Sequence, residues 1–349
     1  MTFRSTCLSL ASAVLLASAA RAQTTCFVDD FEATTLDPFW TTSAVSGSIT
    51  FPSSHGHTGN QAVRFDSVVS AANKSITLRH NFPQPIYGRV SVWMDDTGAT
   101  AGSSNYMGIN TNDFAIYVFD YNLSLSNGGA YVYNVGGLAH HSAIPRTQTW
   151  HLFAIDSTPA GLTLWVDGIP IHTGPAVALS HVELFMSGPN WRPAWTTSFD
   201  DFTFIPYLPS SYALFGSGCP GSVGTPTIQA PAVGPSLGTS FDVTVTSLPF
   251  TSAAVGILGA SNTRLANGMP LPVSLDFLGM RGCQLNVSTE LFVFLGQRPT
   301  PDTAIWSLPI PQVCDLFGAT FYQQVMVTDP PANALGIIMS NAGQATIGS

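Results

Sequence analysis

Lysine is almost missing from this chain: Lys74 is the only one in 349 residues, and charged residues of every kind make up 9%. A surface that neutralises a row of phosphates needs clustered Lys and Arg. No basic run occurs anywhere, which excludes nucleic acid as an expected partner. Glutamate is scarce as well, confined to Glu32, Glu183 and Glu290. Amphipathic helices carry many Glu, Lys and Arg on their wet face, so this shortage argues against long helices. Beyond the N-terminal stretch, no segment is apolar for long enough to cross about 30 Å of hydrocarbon. No transmembrane segment is therefore expected in the mature chain.

The N-terminal stretch "MTFRSTCLSLASAVLLASAARAQTT" has a basic Arg4, an apolar and small-residue run from Leu8 to Ala20, and an Ala20-Arg21-Ala22 cleavage pattern. That pattern predicts a signal peptide over 1–22, cut before Gln23, and a secreted, extracellular or cell-surface protein. Loss of Arg4 and Arg21 leaves nine basic side chains against 20 acidic ones, a net charge of −11. Of five cysteines, Cys7 leaves with the signal, and Cys26, Cys219, Cys283 and Cys314 remain. An even number in an exported chain points to disulfides, and four cysteines allow three pairings. Cys219 with Cys283 is favoured, because both sit in glycine-flanked turns of the same half, "GSGCPGS" and "MRGCQL". Cys26 and Cys314 would then be an interdomain tie or two free thiols.

What the chain does have is glycine (31), proline (25) and many aromatic residues. Segments such as "NQAVRFD", "GRVSVWM", "TWHLFAID", "LTLWVDG" and "FDDFTFI" are short, rich in Val, Ile, Phe, Tyr and Trp, and bounded by Gly, Asn, Ser or Pro. Their recurrence every roughly 10–15 residues predicts an all-β sandwich. Asp167-Gly168, between two apolar runs, predicts a tight hairpin. The rhythm pauses in "IPYLPSSYALFGSGCPGSVGTPTIQAP" and then resumes, which sets a domain boundary near residue 208 and predicts a smaller β-sandwich over 208–349.

Over 23–207 the chain resembles the concanavalin A-like lectin/glucanase (laminin-G-like) jelly roll. The resemblance is carried by Asp29-Asp30-Phe31-Glu32 ahead of Trp40, the turn "HGHTGNQAVRF", the hairpin "WHLFAIDSTPAGLTLWVDGIPI" and the closing "FDDFTF". The part beyond 208 resembles a C-terminal module of unknown function found in secreted bacterial proteins, through "GSGCPGSVGTPTI", "LDFLGMRGCQL", "WSLPIP" and "ANALGIIMSNAGQATIG".

The jelly-roll resemblance brings hydrolysis into question, since glycosidases of this fold pair two carboxylates, commonly as Glu-x-Asp-x-x-Glu on one strand. None of the three glutamates begins that pattern, and adjacent aspartates on a strand point to opposite faces. "GPSLG", with Ser236 as a candidate nucleophile, has the form of a hydrolase elbow. A strand-like segment rather than a helix follows it, and all eight histidines precede it. His55/His57 and His140/His141 lack a third ligand at zinc spacing, and His55 and His57 read as part of a surface turn.

In a jelly roll the first and last strands lie together, which would bring Asp29, Asp30 and Glu32 close to Asp200 and Asp201. Such a cluster suits a structural calcium ion; the competing reading has these carboxylates capping turns or facing water. For a ligand, "MSGPNWRPAWTTSFDD" offers Trp191 and Trp195 in a Pro- and Gly-bearing loop beside Arg192 and Asn190. Indoles stack on the C–H faces of sugars, although they would equally close the end of a core. Tyr131 and Tyr133, two apart on a strand, would share one face. The reading reached from sequence is an exported, non-catalytic carbohydrate or cell-surface binding protein. The alternatives are a structural or adhesive envelope protein and a divergent polysaccharide hydrolase or lyase.

Overall fold

Alternation of buried and half-exposed residues runs through the strands of the computed structural model. Val63, Phe65, Val90, Val92 and Met94 are buried while the residues between them are not, the pattern that a sheet with one wet face imposes. The structure describes residues 26–95, 106–112, 114–119, 130–147, 149–191 and 193–349. The signal-peptide segment and Arg192 lie outside the described residues. The chain divides into two units, Thr24–Tyr207 and one containing Leu208–Ser349. Both are all-β: among the described residues the helical pieces are two single 3-10 turns, Asp276–Leu278 and Cys314–Leu316. No helix among them is long and apolar enough to cross a membrane.

In the N-terminal unit the strands run β1 (Phe27–Asp29), β2 (Thr41–Val45), β3 (Gly47–Thr50), β4 (Val63–Ser67), β5 (Lys74–Ile86), β6 (Gly88–Asp95), β7 (Tyr106–Thr111), β8 (Phe114–Phe119), β9 (Ala130–Val135), β10 (Leu138–Pro145), β11 (Trp150–Thr158), β12 (Gly161–Val166), β13 (Ile169–Gly174), β14 (Leu179–Gly188) and β15 (Thr196–Pro206). They form two antiparallel sheets. One has the order β13-β12-β11-β6-β15-β4-β3, with β1 also paired to β15; the other has the order β10-β9-β8-β7-β14-β5-β2. Strands distant in sequence, such as β6 and β15 or β5 and β14, lie side by side, as in a concanavalin A-like jelly roll. Phe65, Phe153, Phe199 and Phe204 from the first sheet meet Ile76, Leu78, Ile109 and Leu184 from the second in one continuous core. The Asp167-Gly168 hairpin forms as expected. Both residues have positive φ, 51° and 74°, the geometry that lets a two-residue turn match strand twist.

The C-terminal unit continues with β16 (Ser211–Phe215), β17 (Thr227–Ile228), β18 (Ser240–Thr246), β19 (Ala254–Gly259), β20 (Val273–Ser274), β21 (Gln284–Leu285), β22 (Leu291–Phe294), β23 (Ala304–Pro309), β24 (Thr320–Thr328) and β25 (Ile337–Thr346). A five-stranded sheet, β16-β25-β24-β19-β22, packs on the three-stranded β17-β18-β23. Contact between them is close enough that a Cβ on Gly256 would lie 2.8 Å from the Trp306 ring. Cys219 and Cys283 are joined across this core, with Cα atoms 4.8 Å apart. Cys26 and Cys314 are each disulfide-bonded as well, so neither is a free thiol. Ser236 lies in the loop that enters β18 and accepts the Thr239 N–H, with no helix behind it.

Candidate functional site

The two Asp-Asp-Phe copies meet. β1 pairs with β15 so that Asp29 stands opposite Phe202, and Phe31 and Phe202 are both buried. Asp200 and Asp201 depart from strict strand alternation. The pairing of β15 with β6 shifts register between Asp200 and Thr203, and Asp201 has φ 49°. A bulge of this kind re-aims a side chain, and both carboxylates reach the 57–58 turn.

Asp200 Oδ2 accepts the main-chain N–H of His57 (2.7 Å) and of Thr58 (3.2 Å), and Oδ1 accepts that of Asp201 (2.8 Å). Asp201 takes the Thr58 hydroxyl at 2.6 Å and faces His57 Nδ1 at 2.7 Å. Glu32 Oε1 holds the N–H groups of Asn60 and Gln61 at 2.6 and 2.8 Å. Between them Gly59, at φ 65°, runs so close that a Cβ would lie 2.2 Å from that oxygen. Asp29 instead caps the Phe31 N–H and the Trp40 indole, and Asp30 caps the Glu32 N–H.

The five carboxylates considered for calcium each accept amide, indole or hydroxyl donors from the chain, mostly around one turn. Among the described residues no group of three or more His, Cys, Asp or Glu side chains is placed to hold a metal ion. Burial pushes the Asp200 carboxyl up to about 6, with the Asp201 N–H opposing and the Asp201 charge reinforcing the rise. Burial also raises Asp29.

His55 and His57 are more than a surface turn. The His57 ring stacks on Trp93 of β6, centroids 3.8 Å apart, and His55 Nε2 lies 2.8 Å from Asp95 Oδ2. The turn is thereby clamped onto the outer face of the eight-stranded sheet.

The aromatic loop divides. Trp195 is 3% exposed and belongs to the core of the sandwich, so it is not available to a ligand. The physical cause is its main chain: both its N–H and its C=O are bonded to Ser67, which draws the indole in beneath the sheet end. Trp191, by contrast, is 68% exposed. Its loop is pinned, with Lys74 Nζ donating to the Pro189 carbonyl and Asn190 bonded to Asn73 and Ala71. Asn190 therefore positions the loop. Tyr131 and Tyr133 do share a face, but it is the inner one: Tyr131 is fully buried, and Tyr133 stacks with His140 and His172.

A polar array that the motifs did not point to lies on the outer face of the seven-stranded sheet. Leu184, Ile109 and Ile116 are buried against the core, so their alternates face out. In register across the sheet stand Arg79, Glu183, Asn110, Ala115 and Asn134. Glu183 accepts from Asn110 Nδ2 at 3.0 Å and from Arg79 Nη1 at 3.3 Å, while His181 Nε2 lies 3.1 Å from Asn110 Oδ1. Burial, reinforced by the Arg79 charge, lowers the His181 pKa. The neutral imidazole then donates to Asn110 and fixes the direction in which its amide points.

One row along the same face, Phe185 lies half-buried, with its ring centroid 6.4 Å from that of Tyr117. Gly108 lies between them in register. A Cβ there would fall 2.0 Å from the Ile116 carbonyl oxygen. Beside the polar row is an open depression of about 250 Å³, lined by Asn110, Asn112, Phe114, Ala115, Asn134 and Gly137. The available signal in the sequence is asparagine at Asn110 and Asn134, inside otherwise apolar strands where Asn is disfavoured.

No family model matches this chain, and no curated protein does. Several solved structures are similar to about half of this chain. The cellulose-induced protein Cip1 aligns with a TM-score of 0.36 at 15% identity, over 51% of this chain and 96% of its own. The Crh5 transglycosylase aligns at 0.38 and 15%, over 52% and 83%. The Bacillus licheniformis β-glucanase aligns at 0.35 and 13%, over 52% and 99%.

Proposed function

We propose that the N-terminal sandwich binds a carbohydrate on the outer face of its seven-stranded sheet and does not cleave it. The observation that carries this reading is the Arg79–Glu183–Asn110 array, with half-buried Phe185 one row away and an open depression lined in part by Asn110 and Asn134. Amide, guanidinium and carboxylate groups held by one another present fixed donors and acceptors to hydroxyls, and an aromatic ring takes up apolar C–H surface. Among the described residues Glu183 is the sole acidic residue in the strands of that sheet. Hydrolysis by the two-carboxylate route needs a second carboxyl group on the same face, which supports binding over catalysis. Trp191, exposed on its pinned loop, is a second stacking surface in this proposal. Disulfide-bonded cysteines suit an oxidising compartment, in keeping with export.

Calorimetric titration with soluble β-glucans, xylans, mannans and mucin-type glycans tests the proposal. The expected result is saturable binding to one class, weakened about ten-fold or more by Asn110→Ala or by Phe185→Ala, with no reducing ends released. Absence of binding across the panel would overturn it. So would reducing-end release that disappears in Glu183→Gln, which would make the protein an enzyme.

A further inference from the structure

β22 is an edge strand. It pairs with β19 on one side, and among the described residues no strand lies on the other. Edges of this kind are normally blunted by lysine, proline, an inward charge or a bulge. The segment 291–296, Leu-Phe-Val-Phe-Leu-Gly, has none of these. Phe292 is 54% and Phe294 69% exposed, while Leu295 is buried in the core.

Main-chain directions follow from the ladder. The Leu295 N–H bonds to the Ala254 carbonyl at 2.9 Å, and the register pairs Val293 with Gly256 and Leu291 with Leu258. In an antiparallel ladder alternate residues bond to opposite sides. Odd-numbered residues of β22 therefore face β19, and the N–H and C=O groups of Phe292 and Phe294 point outward.

We infer that β22 joins a second copy of this chain by antiparallel strand addition. A two-fold axis through Val293 sets Phe292 of one copy opposite Phe294 of the other, twice. That register pairs all the outward N–H and C=O groups of these residues and puts the four phenyl rings together on one face. Charge selects the same arrangement. Glu290, which accepts the Ala260 N–H and the Ser288 hydroxyl, and Arg298, which donates to the Ser252, Pro249 and Pro301 carbonyls, flank the uncharged stretch at opposite ends. Antiparallel copies bring the negative end of each towards the positive end of the other through their fields, without an ion pair, whereas parallel copies would set like charges together. In a chain with net charge −9, an uncharged edge with complementary ends is where two copies meet at least electrostatic cost. The two five-stranded sheets become one continuous sheet.

Sedimentation of the full chain from about 1 to about 100 µM tests this. The expected result is a monomer–dimer equilibrium. Phe292→Lys/Phe294→Lys, which sets like charges opposite each other, weakens it by about 100-fold or more. Phe294→Pro deletes an outward N–H that β19 does not use, and should weaken the dimer while leaving the melting temperature within a few degrees. A chain that stays monomeric throughout this range overturns the inference, as does a dimer that persists in either folded variant.

Discussion

Asp200 and His57, 143 residues apart in sequence, are joined by a 2.7 Å hydrogen bond from the His57 main-chain N–H to a carboxylate with no solvent exposure. This bond closes the 55–61 turn over β15. It also places an ionisable group where water cannot help to stabilise its charge.

A pH dependence follows. The folded Asp200 carboxyl lies at about 6 against an ordinary 3.8, mainly through burial, so the folded state holds its proton more tightly than the unfolded chain. The stability contributed by this group is fully present below pH 3.8 and is lost as pH rises through 6. Urea denaturation of the wild type and Asp200→Asn at intervals from about pH 4 to about pH 8 isolates the effect, because other groups cancel in the difference. The wild type should lose stability relative to the variant as pH rises through 6. A gap that stays constant over that range would show that Asp200 titrates normally.

The two tryptophans of the aromatic loop should behave oppositely. Trp195→Ala removes a buried indole from the core and should cost about 3–5 kcal/mol. Trp191→Ala acts on an exposed side chain and should change stability by about 0.5 kcal/mol or less. Thermal melts of the two single variants decide the matter; equal losses would contradict the division of the loop into a core residue and a displayed one.

Chelation provides a third check. Oxygens of Glu32, Asp29, Asp200 and Asp201 already accept N–H or O–H donors from the chain. Treatment with EDTA should therefore leave the melting temperature unchanged. A fall of several degrees that added calcium reverses would place a cation among these carboxylates instead.

How far the sequence could be read differs between elements. Val63–Ser67, Gly88–Asp95 and the Asp167-Gly168 hairpin were legible because alternation and turn chemistry act between near neighbours. The meeting of Asp29 with Phe202 was legible from the order of a known architecture. The aim of Asp201 was not, since it depends on a bulge created by pairing with β6. Nor was Glu183 as part of an array: its partners Arg79 and Asn110 lie on strands far away in sequence, and nothing in their spacing brings them together.

By itself, then, the sequence determined an all-β fold class with a change of unit near residue 208, because strand propensity, period and turn residues are local properties. Which tryptophan is displayed, which asparagines face outward together and which edge strand is left open were decided only by the tertiary structure. Each depends on sheet neighbours that are distant along the chain, and burial belongs to the assembled layers rather than to any one residue.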